Sequence, residues 1–283
     1  MKKFVLSAVA AAFVSTAGAT PFVIDNGADF GGNSSTQTST VDNLGFTGTS
    51  FYTVFLNNNT NVGSQVRVTN SLSVLNTYGF GTTGLAAPAD PDTINIDTLN
   101  TGVADGNGFT NGTPFGYGFF GTWGLTYSLD LTGTITSGGF INYTGGTVTL
   151  YYRDSTVPPG TKVAELDVVT SSNNTNQLVL EGDVDYSWVG ADAFVQNFFV
   201  DAGTGQSFYD IDPEALTWRI NATESPSTIT ASTIVANEPG TYLFRRTSLD
   251  GNITFNVPEP ASIALVGLAL TGLAVATRRR KQA

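Results

Sequence analysis

The chain is 283 residues long and 41% hydrophobic, a length and composition that allow a buried core and argue against disorder over the whole chain. Residues 20–257 carry 22 acidic and 6 basic side chains, and their net charge of −16 disfavours binding to nucleic acids and to anionic membrane surfaces. The chain contains no cysteine and no histidine, which excludes disulfides, thiol chemistry, Ser-His-Asp catalysis and the usual zinc sites.

The first nineteen residues predict a secretory signal peptide. A positively charged start is followed by an apolar run over residues 4–14, and Ala17 and Ala19 are the small residues that a signal peptidase accepts. An uncleaved anchor is the weaker alternative, because a spanning helix needs roughly 20 apolar residues. We therefore expect a signal peptidase to cut between Ala19 and Thr20.

Residues 20–256 predict one exported, all-β domain. Apolar side chains recur at every second position over 125–131 and 216–222, which places them on one face of a strand. A further alternating stretch covers 66–74. Many short strands without a convincing amphipathic helix favour an antiparallel β-sandwich with a jelly-roll-like topology.

Glycine, proline and polar residues divide this domain into segments. Turn-forming pairs predict the ends of strands, and polar runs predict loops. Residues 85–121 are dense in glycine and proline, and they predict a long excursion from the sheet. The predicted turns lie at 138–139, 145–146, 158–160, 238–240 and 250–252, and the predicted loops at 57–61 and 171–176.

One short segment within the excursion has a weak likeness to a calcium loop. Asp105 and Asn107 alternate with glycine, and carboxylate and amide oxygens are the ligands that calcium prefers. A full loop would end on an acidic residue, but the twelve-residue window that Asp105 opens ends on Gly116. A simple turn is favoured, and we expect no cofactor, with calcium as the open alternative.

Aromatic residues alternate with glycine over 115–123. Tyr117 and Trp123 are the candidates for a platform that stacks on sugar rings, as in a carbohydrate-binding module. An interior strand packed closely against its neighbours is the favoured alternative, because buried rings dominate the cores of β-sandwiches.

Carboxylates are the only remaining candidates for catalysis. An acid and a base could come from Asp183 and Asp185, or from Asp210, Asp212 and Glu214. Exposed acids are common, and residues two apart on a strand share a face, so a solvated face is favoured. We therefore assign no catalytic residue and expect a protein that is not an enzyme, with a carboxylate-dependent hydrolase as the less favoured alternative.

The C-terminus predicts a membrane span with its end in the cytoplasm. Residues 261–277 are apolar or small, and a helix of that length measures about 25 Å, slightly less than a bilayer core of roughly 30 Å. A basic cluster follows at Arg278, Arg279, Arg280 and Lys281, and such a cluster stays on the cytoplasmic side.

A proline-rich motif over 257–262 stands directly before this span. It begins Val257-Pro258-Glu259-Pro260-Ala261, and its two prolines favour an extended, exposed segment. Together with the apolar run and the arginine cluster, it resembles the PEP-CTERM family of sorting signals. The resemblance implies that residues 257–283 hold the exported protein in the membrane until an exosortase cuts near the motif.

A second resemblance involves the domain itself. Residues 21–25, Gly45-Phe46 and residues 146–152 resemble the flocculation-associated subgroup of PEP-CTERM proteins. That resemblance implies a bacterial protein of the cell surface or exopolysaccharide matrix. We therefore expect matrix components as partners and a structural or adhesive role in biofilm or floc formation.

Overall fold

The structure is a computed structural model, and it describes residues 19–27, 36–38, 40–78, 92–97, 124–153, 160–175, 177–211, 216–225, 227–230, 234–236 and 242–257. Residues Gly18–Asn256 form one compact unit. Of the second unit, which consists of Met1–Ala17 and Val257–Ala283, only Val257 is described.

The described residues form twelve strands and two short helices. The strands are β1 (Phe22–Ile24), β2 (Asn43–Phe55), β3 (Gln65–Thr69), β4 (Asp92–Asp97), β5 (Gly124–Ile135), β6 (Ile141–Arg153), β7 (Thr161–Asn174), β8 (Gln177–Asp185), β9 (Phe199–Asp201), β10 (Thr217–Ser225), β11 (Ile234–Ala236) and β12 (Leu243–Asn256). The helices are α1 (Leu72–Thr77) and α2 (Ala193–Gln196). The chain is therefore an all-β protein, as its alternating pattern predicts.

Ten of these strands form one antiparallel sheet that closes on itself. Strands β5, β6, β7 and β8 are successive neighbours, and β10 and β12 follow β8. The last strand, β12, also pairs with β2. Strands β3 and β4 each bridge part of the gap between β2 and β5. The resulting fold is sandwich-like, with opposed walls around a common core.

Alternation in the sequence determines which side chains face this core. Leu125, Tyr127, Leu129 and Leu131 on β5 are at most 3% exposed. Leu216 and the side chains at every second position of β10 up to Ala222 are also buried. Both inward faces are those that the sequence predicts, because side chains two apart on a strand point to the same side.

Strands β1 and β9 form a separate two-stranded sheet that adds an aromatic cluster to the core. Phe22 of β1 lies between Phe199, Phe208 and Phe255, with ring centroids 5.8, 5.9 and 5.3 Å away. All four rings are at most 1% exposed. Complete burial of each such ring contributes about 1.5–3 kcal/mol, so β1 is an integral part of the domain.

Helix α1 replaces the strand predicted at residues 72–74, and that prediction is wrong. Asn70 ends β3, because its side chain binds the backbone of β5 through Leu129 N at 2.8 Å and Tyr127 O at 3.3 Å. The chain then leaves the sheet, and Leu75 of α1 packs against Tyr52, Val54 and Phe244. Period-two alternation over three residues did not distinguish a strand from one helical turn.

Two predicted breaks are wrong because the strands continue through them: Gly145-Gly146 lies inside β6, and residues 250–252 lie inside β12. The loop predicted at 171–176 is wrong in its first part, because β7 runs to Asn174 and the turn begins only at residue 175. A Cβ atom on Gly251 would lie 2.2 Å from the carbonyl oxygen of Asn221, so glycine here allows two strands to approach closely. The turn at 138–139 and the loop at 57–61 are confirmed.

The excursion predicted over 85–121 is wrong for one segment. Asp92–Asp97 form β4, which pairs with β2 and β5 inside the sheet. The alternation of isoleucine with polar residues in this segment is the signal that the glycine and proline around it obscured.

Candidate sites and the sorting motif

The two ends of the compact unit meet at the aromatic cluster. The Thr20 amide donates a hydrogen bond to the carbonyl oxygen of Phe255 at 2.8 Å, and the rings of Phe22 and Phe255 are perpendicular. Strand β12 remains paired to its last residue, where Asn256 lies opposite Thr217 of β10. The folded unit therefore ends directly before Val257.

Only some residues of the two predicted processing signals fall within the described ranges. Ala19 is exposed, Thr20 is half-buried, and Val257 follows β12 without a linker. The remaining predicted processing residues lie outside the described ranges: Ala17, Pro258, Glu259, Pro260, Ala261, Arg278, Arg279, Arg280 and Lys281. In the part of the chain that the structure describes, no helix combines the length and apolarity needed to cross a membrane. The predicted span over 261–277 is beyond that part.

The weak ligand candidates are likewise not described. Asp105, Asn107, Tyr117 and Trp123 all fall in the gap between residues 97 and 124. Among the described residues, no three acidic side chains are grouped so that they could hold a metal ion. The calcium and aromatic-platform alternatives therefore stay predictions.

Two of the acids considered as catalytic candidates, Asp183 and Asp185, belong to a ladder of carboxylates on β7 and β8. Asp183 lies opposite Asp167, and Asp185 lies opposite Glu165. Val184 and Tyr186 face the core instead, at 1% and 4% exposure. This is the arrangement expected for the solvent face of a strand. Asp210 is exposed on another segment, and Asp212 and Glu214 lie outside the described ranges.

Repulsion within this acidic ladder is only partly offset. Partial burial and the neighbouring charges of Asp185, Glu165 and Asp183 raise the pKa of Asp167 above its ordinary value. Lys162 forms an ion pair with Glu165. Like charges directly opposite each other across two strands destabilise a sheet, so the ladder costs free energy at neutral pH.

The tryptophans of the described residues have structural roles. Trp218 is 1% exposed, and its indole nitrogen donates to the backbone oxygens of Asp167 and Asp183 at 3.2 and 3.0 Å. Trp188 is half-buried beneath the Lys162 ammonium group, which lies 4.1 Å from its ring centroid. Trp218 is therefore too deeply buried to stack on a sugar, and Lys162 covers one face of Trp188.

A groove of about 290 Å³ lies where β7 bulges away from β8. Its lining includes Val169, which is 61% exposed, together with Asp183 and Asn256. Glu181 and Arg219 cross it as an ion pair with an N–O distance of 2.9 Å. Planar polar groups beside an apolar side chain are suited to binding a small polar ligand.

A buried ion pair that was not predicted from the sequence joins β10 and β12. Arg245 Nη2 lies 2.5 Å from Glu224 Oε1, and the side chains are 0% and 3% exposed. Asn173 Nδ2 donates to the other carboxylate oxygen at 3.4 Å. Burial raises the pKa of Glu224, although Arg245 and Asn173 oppose that shift. It also raises the pKa of the Tyr143 phenol, with a further contribution from Glu224.

Strand periodicity is the signal that could have found this pair. Glu224 continues the inward positions of Trp218, Ile220 and Ala222, and Arg245 continues those of Leu249 and Thr247. A charged residue on a predicted inner face indicates a buried partner of opposite charge. The pair is almost fully excluded from water, so it is not accessible for chemistry on a substrate.

The C-terminal residues of the chain are similar to a known family. The family described as the PEP-CTERM protein-sorting motif matches residues 256–281. No curated protein and no solved structure matches the chain. The match begins at the residue that ends β12, so the folded unit and the motif adjoin without a linker. The chain is therefore an exported protein that carries a PEP-CTERM sorting motif and is targeted to an exosortase.

Proposed function

We propose that this chain is a non-enzymatic structural or adhesive protein of the cell surface or exopolysaccharide matrix, with a role in biofilm or floc formation. The observation that carries the proposal is the direct junction between a closed, well-packed β-domain and the sorting motif. Such a chain delivers a rigid domain to the surface. The C-terminal span anchors it before processing, with the basic cluster in the cytoplasm.

The charge of the domain supports a role in a hydrated matrix. Six basic side chains against 22 acidic ones leave the domain soluble and bring cations to its surface. Cations held between acidic proteins and acidic polysaccharides can bridge them. The resemblance to the flocculation-associated subgroup favours the same role.

Deletion of the gene in its host tests the proposal. We expect cells without the protein to aggregate less, and expression of the full chain to restore aggregation. A chain that lacks residues 257–283 should be exported but should fail to restore it. Unchanged aggregation after deletion would contradict the proposed role.

A second candidate is a carbohydrate-binding module, which the groove beside β7 favours. Glu181 and Arg219 offer planar groups that hydrogen-bond to sugar hydroxyls, next to the exposed Val169. Arg219→Ala should weaken binding of host matrix polysaccharide to the purified protein. Arg246→Ala removes an exposed charge elsewhere and is the matched control. Equal binding by both variants and the wild type would exclude the groove.

A further inference from the structure

The last three residues of β12 have an edge that the main sheet does not cover. On one side, β12 pairs with β10 as far as Asn256. On the other side, its pairing with β2 ends at Ile253, opposite Leu44. Residues Thr254–Asn256 would therefore present free backbone groups along one edge, directly before the sorting motif.

The N-terminal segment Thr20–Phe22 covers this edge. Because β10 occupies the other edge, the hydrogen bond from the Thr20 nitrogen to the Phe255 oxygen fills the position that β2 leaves open. This nitrogen is the expected amino terminus of the mature chain and can still donate after the signal peptide is removed. The Pro21 oxygen accepts from Ala202 N at 3.0 Å, and Phe22 exchanges backbone hydrogen bonds of 2.8 and 2.7 Å with Val41. The segment is thus fixed on both sides of the contact.

An occupied strand edge cannot pair with another protein, and proteins that bind extended segments commonly do so by pairing with a free backbone edge. A protease that acts in the motif would also contact residues that precede the bond it cuts. Here those residues are Phe255 and Asn256, whose side chains and backbone belong to the folded domain. They are not available as an extended substrate while the domain is folded.

We propose that Thr20–Phe22 occludes the end of β12 and thereby restricts exosortase binding to residues beyond Asn256. The enzyme then breaks a peptide C–N bond beyond Asn256. The acyl carbon passes to water or to another nucleophile that the cell supplies, and the tail leaves with a new amino terminus. The exported protein keeps β12 complete.

The test uses the full chain, expressed in a host with its exosortase, and intact-mass analysis of the released protein. For the wild type we expect one product whose C-terminus lies beyond Asn256. Phe22→Ala should undock the N-terminal segment and add products that end upstream of Val257. Phe198→Ala removes the same volume from a ring that packs on Tyr152, Phe194 and Phe199, and it should give the wild-type product.

A second variant leaves the core unchanged. Insertion of Gly-Ser-Gly-Ser between Asn256 and Val257 gives the enzyme an extended segment upstream of the motif, so release should become several-fold faster. A wild-type product that ends at or before Asn256 would overturn the proposal. So would an intact tail on every variant, or an unchanged product and rate for both Phe22→Ala and the insertion.

Discussion

Glu224 and Arg245 form the polar centre of a core that is otherwise largely apolar. Their carboxylate and guanidinium groups are almost fully excluded from water, and Asn173 supplies a further hydrogen bond. The attraction between two such charges is largely offset by the cost of removing both from water. Removal of one residue alone should therefore destabilise the fold, because it leaves the charge of the other buried and unpaired.

Arg245→Ala should lower the free energy of unfolding by about 3–5 kcal/mol, because it leaves a buried carboxylate without its partner. Urea denaturation of the mature protein measures the change. Arg246→Ala, at the exposed neighbouring position, should stay within about 0.5 kcal/mol of the wild type. Replacement of both partners, Glu224→Gln with Arg245→Met, should recover much of the loss. Equal effects of Arg245→Ala and Arg246→Ala would show that the pair contributes nothing.

The sequence did not predict this pair, because the recognised alternation ends at Ala222 and no strand was predicted around Arg245. Glu224 and Arg245 are 21 residues apart, and nothing local indicates that their strands are neighbours. The buried hydrophobic positions that precede Glu224 on β10 were predicted correctly, because burial is encoded by alternation within the strand. The identity of a cross-strand partner depends on register, which a single strand does not encode.

Strands β7 and β8 combine three local features: the acidic ladder, the bulge after Val168 and the close approach at Gly182. A Cβ atom on Gly182 would lie 1.7 Å from the Asp167 oxygen, so only glycine fits beside the bulge. The same two strands therefore carry both repulsion between charges and a tight backbone contact. Each can be tested separately.

Acidification should stabilise the domain through Asp167. Its pKa is raised in the folded chain, so the folded state binds more protons than the unfolded state does. The contribution of Asp167 to stability should then rise as the pH falls from neutral through the raised pKa of this carboxyl, and it should level off below the pKa of an aspartate in the unfolded chain. Thermal unfolding at several pH values measures this trend.

Asp167→Asn should mimic the effect at pH 7. We expect a gain of no more than about 1 kcal/mol, since the group is mostly solvated and water screens the repulsion. Added salt should shrink the difference from the wild type. Asp250→Asn removes an equal charge from another exposed position and serves as the control. The same pH trend in Asp167→Asn and the wild type would contradict this origin.

Gly182→Ala should destabilise the domain by about 3 kcal/mol, because the added methyl group forces two strands apart. Gly190→Ala is a matched control, since nothing lies within 4 Å of a Cβ atom there. Midpoints of chemical denaturation compare the two variants. A Gly182→Ala protein as stable as Gly190→Ala would refute the close approach.

Glycines show why strand ends were harder to predict than strand faces. Gly146, Gly182 and Gly251 lie inside strands, where a side chain would collide with a neighbouring backbone. In the sequence they resemble turn formers, because the same lack of a Cβ atom serves both purposes. A glycine inside a strand differs from a glycine in a turn only because the backbone of another strand lies close to it, and that strand is distant in the sequence.

On the scale of the whole molecule, β12 closes the sheet. It pairs with β2 along one edge and with β10 and β11 along the other. The class of fold followed from alternation, but this closure did not, because the pairing joins segments about 200 residues apart. The candidate groove could not be predicted from the sequence either, because it is formed by the bulge in β7 and by the end of β12.

A chain truncated after residue 242 should not fold, because β2 and β10 lose their shared neighbour and the core loses Phe244, Ile253 and Phe255. Far-ultraviolet circular dichroism during heating should show no cooperative transition. A chain that ends at Asn256 keeps every strand and should melt cooperatively. A sharp transition in the shorter chain would mean that the sheet is stable when open.

Strand β12 is the last strand of the chain, and its position affects when the sheet can close during export. An exported chain emerges N-terminus first, so β2 cannot pair with β12 until almost the entire domain has crossed the membrane. Pairing between such distant segments is slow, on the order of milliseconds to seconds for sheet proteins. The membrane anchor proposed for the tail would give this slow step time to finish before the protein diffuses away, and it would keep unpaired strands of neighbouring molecules from meeting in solution.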